Sequence, residues 1–137
     1  MPNSCTELYV HFVWATWDRK PLITPQIEGI AYTAIRAKCH ERKCQVRALG
    51  GVADHVHVLV RMPATLDVAT LAHDMKGASS HLIRHRLTPD FQWQGAYAAF
   101  TVCPSVVPAL CEYIEGQKEH HARNRLKPDW EQPENEI

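Results

Sequence analysis

The feature that most constrains the fold is the stretch 54–60, Asp-His-Val-His-Val-Leu-Val, in which histidine and valine alternate. Successive side chains of a β-strand point to opposite faces of the sheet, so His55 and His57 share one face and the valines share the other. The valine face can pack in a core, whereas two neighbouring imidazoles gain little from burial unless they bind something. Histidine is the commonest metal ligand in proteins. The stretch therefore predicts a strand that carries half of a metal site.

The size and composition of the chain predict one soluble domain. Its 137 residues are enough for a single core, and no apolar run approaches the roughly 18 residues that span a bilayer. No secretion signal is visible at the start of the chain, and the odd number of cysteines, five, favours reduced thiols. We expect a cytoplasmic protein with no membrane partner.

The hydrophobic periodicity predicts the element order β-α-β-β-α-β-α. The elements are a strand at 6–16, a helix from Thr24-Pro25 to about Glu41, strands at 44–49 and about 52–61 joined by a Gly50-Gly51 turn, a helix from Thr65 or Asp67 to about Leu87, a strand at 96–102 and a helix from Pro104 towards Arg125. The first six elements match the ferredoxin-like βαββαβ pattern. We expect an α+β fold, with an antiparallel sheet, helices on one face, central first and third strands, and an additional C-terminal helix. Residues 1–126 form this domain, and 127–137 form an acidic, proline-containing tail.

The last predicted helix carries an unusual polar row. Tyr113 and Gln117 are four residues apart and share a helical face, which His121 continues. The amide oxygen of glutamine suits Mg²⁺ or Mn²⁺ beside imidazole nitrogens, and a tyrosine hydroxyl can act as a covalent nucleophile. The row is a candidate partner for the histidine pair.

These residues together resemble a known family. The HUH motif (histidine, hydrophobic residue, histidine) at 55–57, followed by Tyr113-Ile114-x-x-Gln117 and His120-His121, is similar to the single-tyrosine HUH transposases of the insertion-sequence 200/605 family, which are related to the REP-associated tyrosine transposases. Blocks at 10–23, 76–80 and 93–97 resemble the family too. The resemblance covers about residues 6–125 and keeps the family's order and spacing.

The resemblance implies a mechanism and a set of site residues. Tyr113 would attack a phosphodiester in single-stranded DNA to form a 5′-phosphotyrosine, while His55, His57 and Gln117 hold Mg²⁺ or Mn²⁺. His11 and His121 are candidates for supporting these ligands. Recognition of DNA hairpins and a homodimer are also implied, and whether Tyr113 acts in its own chain or in its partner's stays open. No nucleotide cofactor is expected, because the chain has no phosphate-binding glycine fingerprint.

Candidate DNA contacts come from the distribution of charge. The net charge is zero, but residues 127–137 carry one lysine against four carboxylates, so the rest of the chain is basic. A local basic surface is what phosphate binding needs. The candidates are Arg36, Lys38, Arg42 and Lys43 on the first helix and Lys76, Ser79, Ser80, Arg84 and Arg86 on the second. Trp17, Trp93 and Tyr97 are further candidates for stacking on unpaired bases.

Two alternative functions stay open. One is a domesticated relative that acts on chromosomal repeat hairpins without mobilising its own element. The other is a non-catalytic nucleic-acid-binding module, because RNA-recognition domains share the βαββαβ pattern and a fold does not specify a function. A histidine-triad hydrolase is disfavoured, because the strand lacks a third alternating histidine.

Overall fold

Four strands form one antiparallel sheet at the centre of the protein. In the computed structural model, which describes residues 4–122 and 126–131, they are β1 (Leu8–Ala15), β2 (Gln45–Val52), β3 (His55–Met62) and β4 (Ala98–Val102). Their order is β2-β3-β1-β4, with antiparallel pairing between neighbours. The predicted central position of the first and third strands is confirmed. These two strands can occupy the centre of the sheet because each has one apolar face, and the opposite face is also largely buried.

Helices cover both faces of the sheet. They are α1 (Pro25–Glu41), α2 (Val68–Arg86), α3 (Val107–Glu115) and α4 (Gln117–Ala122). Thr24 caps α1 by accepting a hydrogen bond from the backbone N–H of Ile27, and Asp67 caps α2 in the same way through Thr70. Within the described ranges, none of these helices is long and apolar enough to cross a membrane.

The alternation along β3 separates two cores. Val56, Val58 and Val60 pack against α1 and α2, whereas Leu59 lies on the opposite face with the apolar side of α3. His55 and His57 share that second face. The fold therefore places the histidine pair beneath the helix that carries Tyr113.

Two local predictions are wrong. Gly50 and Gly51 do not form the hairpin turn, because they lie inside β2, paired with His57 and Val56, and the turn falls after Val52. The last helix is not continuous, because Gly116, the residue type with the lowest helix propensity after proline, separates α3 from α4. The predicted end of that helix falls at 123–125, outside the described residues.

Gly50 has a packing role in place of the predicted turn role. A Cβ atom at this position would lie 2.0 Å from the backbone oxygen of Ile114. Only glycine therefore allows α3 to approach β2 this closely. The position of the tyrosine-bearing helix depends on the missing side chain.

We predict that Gly50→Ala destabilises the protein by about 1–3 kcal/mol, because the methyl group must push α3 away from the sheet. Urea denaturation measures the change in the free energy of unfolding. Gly29→Ala is the matched control: Gly29 lies in α1 with open space around an added Cβ, so alanine there should stabilise the protein by about 0.5–1 kcal/mol. Equal stabilities of the two variants would contradict the close approach.

Candidate metal and nucleophile site

The two histidines of β3 are held with one nitrogen each pointing into the site. Both rings are buried. Nδ1 of His55 lies 2.7 Å from Oδ1 of Asp54, and Nδ1 of His57 lies 2.9 Å from Nε2 of His11. We assign the ring proton to Nδ1 in both cases, because this leaves each Nε2 with a free lone pair. A carboxylate behind a histidine is the arrangement that typically orients a metal ligand.

Glu131 faces both of these nitrogens. Its Oε1 atom lies 3.2 Å from Nε2 of His55 and 3.3 Å from Nε2 of His57. Neither nitrogen has a partner in hydrogen-bonding geometry, although both are buried. The three potential ligand atoms lie within 4.8 Å of one another. Two unpaired imidazole nitrogens opposite a carboxylate oxygen fit a divalent cation.

Tyr113 reaches the same carboxylate from α3. Its side chain is buried, and its hydroxyl donates a hydrogen bond to Oε2 of Glu131 while accepting one from the backbone N–H of Lys127 at 3.1 Å. The centroids of the Tyr113 and His57 rings are 6.1 Å apart. One carboxylate therefore connects the nitrogens of the candidate metal site with the candidate nucleophile.

Gln117 and His121 lie at the edge of this cluster. Gln117 is buried at the start of α4, and its amide oxygen lies 2.9 Å from Nε2 of His121. Its amide nitrogen donates to the backbone oxygen of Tyr113 at 3.3 Å. In this arrangement the amide oxygen of Gln117 is directed at His121, so its role as a ligand stays a prediction.

The buried setting separates the proton affinities of the histidines. Burial lowers the pKa of His57, and burial together with the neighbouring His57 lowers the pKa of His11 to about 3. Burial also tends to lower the pKa of His55, but the neighbouring carboxylates of Asp54 and Glu131 outweigh burial and raise this pKa. A neutral His57 keeps the lone pair that a metal ligand needs.

The acidic and phenolic groups are shifted in opposite directions. Burial tends to raise the pKa of Glu131, but the imidazole nitrogens of His55 and His57 close to its carboxylate outweigh burial, and the pKa falls well below its usual range. Burial and the hydrogen bond to Glu131 raise the pKa of Tyr113 to about 12. Tyr113 is therefore a neutral phenol here, with its proton directed at an ionised carboxylate.

The prediction from the sequence missed Glu131. Proline and an excess of carboxylates are typical of a solvated tail, so 127–137 was separated from the domain. The described part of that segment instead packs against the site. A signal was available in Trp130, a large aromatic residue in a polar segment, whose ring lies 5.0 Å from that of Tyr113. Of the three other carboxylates of the tail, Asp129 is exposed, and Glu134 and Glu136 lie outside the described residues.

Comparison with known proteins identifies the family. A family profile described as "Transposase IS200 like" matches residues 4–117. The chain belongs to this family. No protein of curated function matches significantly.

Two solved structures share the fold. One is a candidate transposase from Deinococcus radiodurans R1, with a TM-score of 0.70 and 21% identity over 85% of this chain and 95% of that one. The other is a REP-associated tyrosine transposase bound to a REP hairpin, with a TM-score of 0.64 and 15% identity over 92% of this chain and 74% of that one.

In this IS200-like transposase, a cavity opens beside the histidine pair. Its volume is about 320 Å³, and Arg19, Asp54, His55, His121 and Glu131 are among its lining residues. Arg19 and the preceding residue, Asp18, both have left-handed backbone angles, with φ of 48° and 53°, a conformation that is costly for residues other than glycine. The cavity therefore opens directly beside His55 and Glu131.

The candidate DNA contacts of the transposase lie on α1 and α2 or just beyond them, and these helices cover the opposite face of the sheet from the histidines. Arg36, Lys43, Arg84 and Arg86 are exposed. Lys38 and Arg42 are engaged in ion pairs, with Glu41 at 3.1 Å and with Asp74 at 2.7 Å. A DNA contact by either residue would compete with its ion pair.

The three candidates in the middle of α2 differ in accessibility. Ser79 is fully buried, donates to the backbone oxygen of Met75 and accepts from Nε1 of Trp93 at 2.9 Å. This bonding gives Ser79 a packing role and leaves no surface for DNA. Lys76 and Ser80 border a second cavity. Lys76 is half-buried, and burial lowers its pKa.

We predict that Glu131→Gln weakens Mn²⁺ binding about tenfold or more, because it replaces a charged oxygen facing both Nε2 atoms. Isothermal titration of the full-length protein measures the affinity. Asp129→Asn is the matched control, since it removes one negative charge two residues away on an exposed side chain. If both variants bind Mn²⁺ like the unmodified protein, Glu131 is not a ligand.

Proposed function

We propose that this transposase cleaves and rejoins single-stranded DNA through a covalent bond to Tyr113. The observation that supports it is the convergence of the Tyr113 hydroxyl and two unpaired histidine nitrogens on the single carboxylate of Glu131. The family places the chain among DNA transposases. A non-catalytic binding module would gain nothing from unpaired buried nitrogens, which are costly to keep.

The proposed reaction exchanges one phosphodiester bond for another. The phenolic oxygen of Tyr113 attacks the phosphorus atom, and its proton passes to a neighbouring base. The bond from phosphorus to the 3′ oxygen breaks, and that oxygen takes up one proton, which balances the one that the phenol releases. The products are a 5′-phosphotyrosine and a strand that ends in a 3′-hydroxyl. Attack by a different 3′-hydroxyl reverses the step and joins new strands. Because bond energy is kept in the phosphotyrosine, no nucleotide cofactor is needed.

We assign Oε2 of Glu131 as the first acceptor of the Tyr113 proton. It already accepts the hydrogen bond of the hydroxyl. Its low pKa keeps it ionised but also makes it a weak base, so the phenol needs a further stabilising charge before it ionises. Binding of the DNA phosphate must also displace part of this carboxylate, because Oε1 fills the space in front of the histidines.

We infer that the metal is Mg²⁺ or Mn²⁺, held by His55 and His57. The third ligand is an oxygen, from Glu131 in the observed arrangement or from Gln117 as the family resemblance implies. A bound divalent ion would polarise the phosphate and stabilise the charge that develops on the transferred oxygens. Asp54 and His11 would hold the two imidazole rings in place.

We propose DNA hairpins as the substrate, acted on in the cytoplasm. The structural neighbour bound to a REP hairpin supports this choice, as do the exposed arginines of α1 and α2 and the exposed Lys43 just beyond α1. A basic surface on the face away from the histidines could hold a folded stem while the unpaired strand enters the site. Whether the hairpins lie at the ends of a mobile element or in chromosomal repeats is left open.

We further propose that Tyr113 acts on its own chain. The apolar side of α3 is buried against the same chain's sheet, through Leu110 and Ile114, which are fully buried, and through the close approach at Gly50. Moving the helix to another chain would expose this core. A homodimer remains our prediction, with a complete site in each chain.

We predict that Tyr113→Phe abolishes the covalent adduct with single-stranded DNA in Mn²⁺, because only the attacking oxygen is removed. The same variant should still bind the DNA. Denaturing electrophoresis of a labelled oligonucleotide detects the adduct, and Tyr32→Phe, which removes a hydroxyl on α1, is the control that retains it. An adduct formed equally well by Tyr113→Phe would falsify the assignment.

We predict that mixing Tyr113→Phe protein with His57→Ala protein does not restore cleavage. With the tyrosine and the histidines in one chain, every site in the mixture lacks one of the two groups. The cleavage activity of the unmodified protein, mixed with either variant, defines the scale for comparison. Recovery of cleavage to about a quarter of that scale or more would show that α3 exchanges between chains.

A further inference from the structure

A second cavity lies between α2 and the loop 91–97 that precedes β4. Its volume is about 300 Å³, at the lower end of the range for small-molecule sites. Lys76, Ser80 and Arg84 form one wall, and Trp93 and Tyr97 form the other. A cavity of this size with polar and aromatic walls suits one nucleotide.

The charge of this cavity favours an anion. Its lining includes two basic side chains, Lys76 and Arg84, and also His73, but no carboxylate. The four other cavities considered in the described part of the chain each include at least one aspartate or glutamate. In a chain with zero net charge, this imbalance is local and is not a consequence of a basic composition.

Lys76 is held in position at the wall of the cavity. Its ammonium group donates to the backbone oxygens of Gln94 at 2.6 Å and Ala96 at 3.1 Å. An ammonium group has three donors, so one remains for a ligand oxygen. Because these two hydrogen bonds already restrict the side chain of Lys76, binding of a ligand costs less side-chain entropy.

The aromatic wall combines a fixed ring with an accessible one. Trp93 is nearly buried, fixed by its hydrogen bond to Ser79 and by edge contacts with Trp14 and Phe91. Tyr97 is 36% exposed, with the centroid of its ring 6.3 Å from that of Phe12. Every nucleobase has a face that can stack on such a ring, whatever its sequence.

One short segment links this cavity to the histidine site. Thr16 donates its backbone N–H to the oxygen of Asp54, next to His55, at 2.9 Å. The following residue, Trp17, donates to the backbone oxygen of Gln92, at the edge of the cavity, also at 2.9 Å. The two sites therefore lie on either side of the same two residues. A single strand that enters both sites would pass over this segment.

We propose that this cavity binds one unpaired nucleotide of the DNA strand whose neighbouring phosphate enters the histidine site. The base stacks on Tyr97 beside Trp93, and the phosphate contacts Lys76 and Arg84. This inference rests on the proposed function for its substrate, but it adds a separate site that contributes binding and takes no part in the chemistry.

Binding in EDTA tests the proposal without any cleavage. Fluorescence anisotropy compares a labelled single strand of about 20 nucleotides with a deoxyribose-phosphate strand of equal length that lacks bases. The full-length protein should bind the base-bearing strand at least about fivefold more tightly, the lower end expected for one stacked base. Tyr97→Leu should remove this preference and leave the affinity for the base-free strand unchanged. A preference that survives Tyr97→Leu overturns the stacking role.

The phosphate contact is tested by a matched pair on one helix. Arg84 and Arg86 are both exposed in the last turn of α2, but only Arg84 borders the cavity. Arg84→Gln should weaken binding of both strands several-fold more than Arg86→Gln. Because both side chains are exposed, the variants should fold even if Tyr97→Leu does not. Equal losses would reduce the contact to general charge attraction and overturn the site.

Three further outcomes show whether a negative result counts against the DNA ligand, the cavity or the proposed reaction. Binding of free thymidine monophosphate as tightly as the 20-nucleotide strand would identify a free nucleotide as the ligand and overturn the DNA assignment; much weaker binding of the monophosphate supports it. An adduct at Tyr113 with no effect of Tyr97→Leu or Arg84→Gln on binding would reject the cavity and leave the proposed function intact. Variant-dependent binding without any adduct would support the cavity and reject the reaction.

Discussion

The candidate site depends on the register of β3 between β1 and β2. His57 pairs with Val13 and Gly50, and His55 pairs with Ala15 and Val52. A shift of one residue would turn both imidazoles into the core beneath α1 and α2 and bring the valines to the site. The apolar face of β3 therefore fixes the position of the polar one, because burial of three valines determines which way the histidines point.

The same register places glycine where α3 crosses the sheet. The opposite face of β3 is apolar at Leu59, where α3 packs, and polar at His57 and His55, where Glu131 enters. Apolar packing at one end of the strand thus holds the tyrosine helix over polar groups at the other. Within the site, Nε2 of His55 and Nε2 of His57 have no hydrogen-bonding partner, and they face each other across Oε1 of Glu131. Unpaired buried groups that converge are more easily explained by a ligand than by packing.

Local patterns predicted the framework of the site well. The alternation at 54–60 predicted the strand and its faces, and the four-residue spacing of Tyr113 and Gln117 predicted that they lie together, although Gly116 breaks the helix between them. The sequence also predicts Thr24 as a cap and gives Asp67 as one of two candidate caps, because capping depends on residues close in sequence. The family is confirmed by the match over residues 4–117.

The features of the site that the sequence does not predict depend on contacts between residues that are far apart in the chain. Trp130 indicates only that the segment around Glu131 packs against the domain, and no local pattern indicates which strand Glu131 meets, more than seventy residues earlier. The pair Gly50-Gly51 is typical of a turn, but both residues lie in a strand, where the approach of Ile114 requires glycine at position 50. Ser79 belongs to a polar row on α2, but Trp93 takes up its hydroxyl. In each case a partner distant in the sequence decides the role of the residue.

The central claim is that His55 and His57 form one metal centre within reach of Tyr113 in the same chain. Anomalous diffraction from crystals of the full-length protein soaked in Mn²⁺ tests it most directly. The account predicts one strong peak within bonding distance of both Nε2 atoms, next to the Tyr113 hydroxyl of that chain. A fully occupied peak elsewhere, with none between the two histidines, would contradict it.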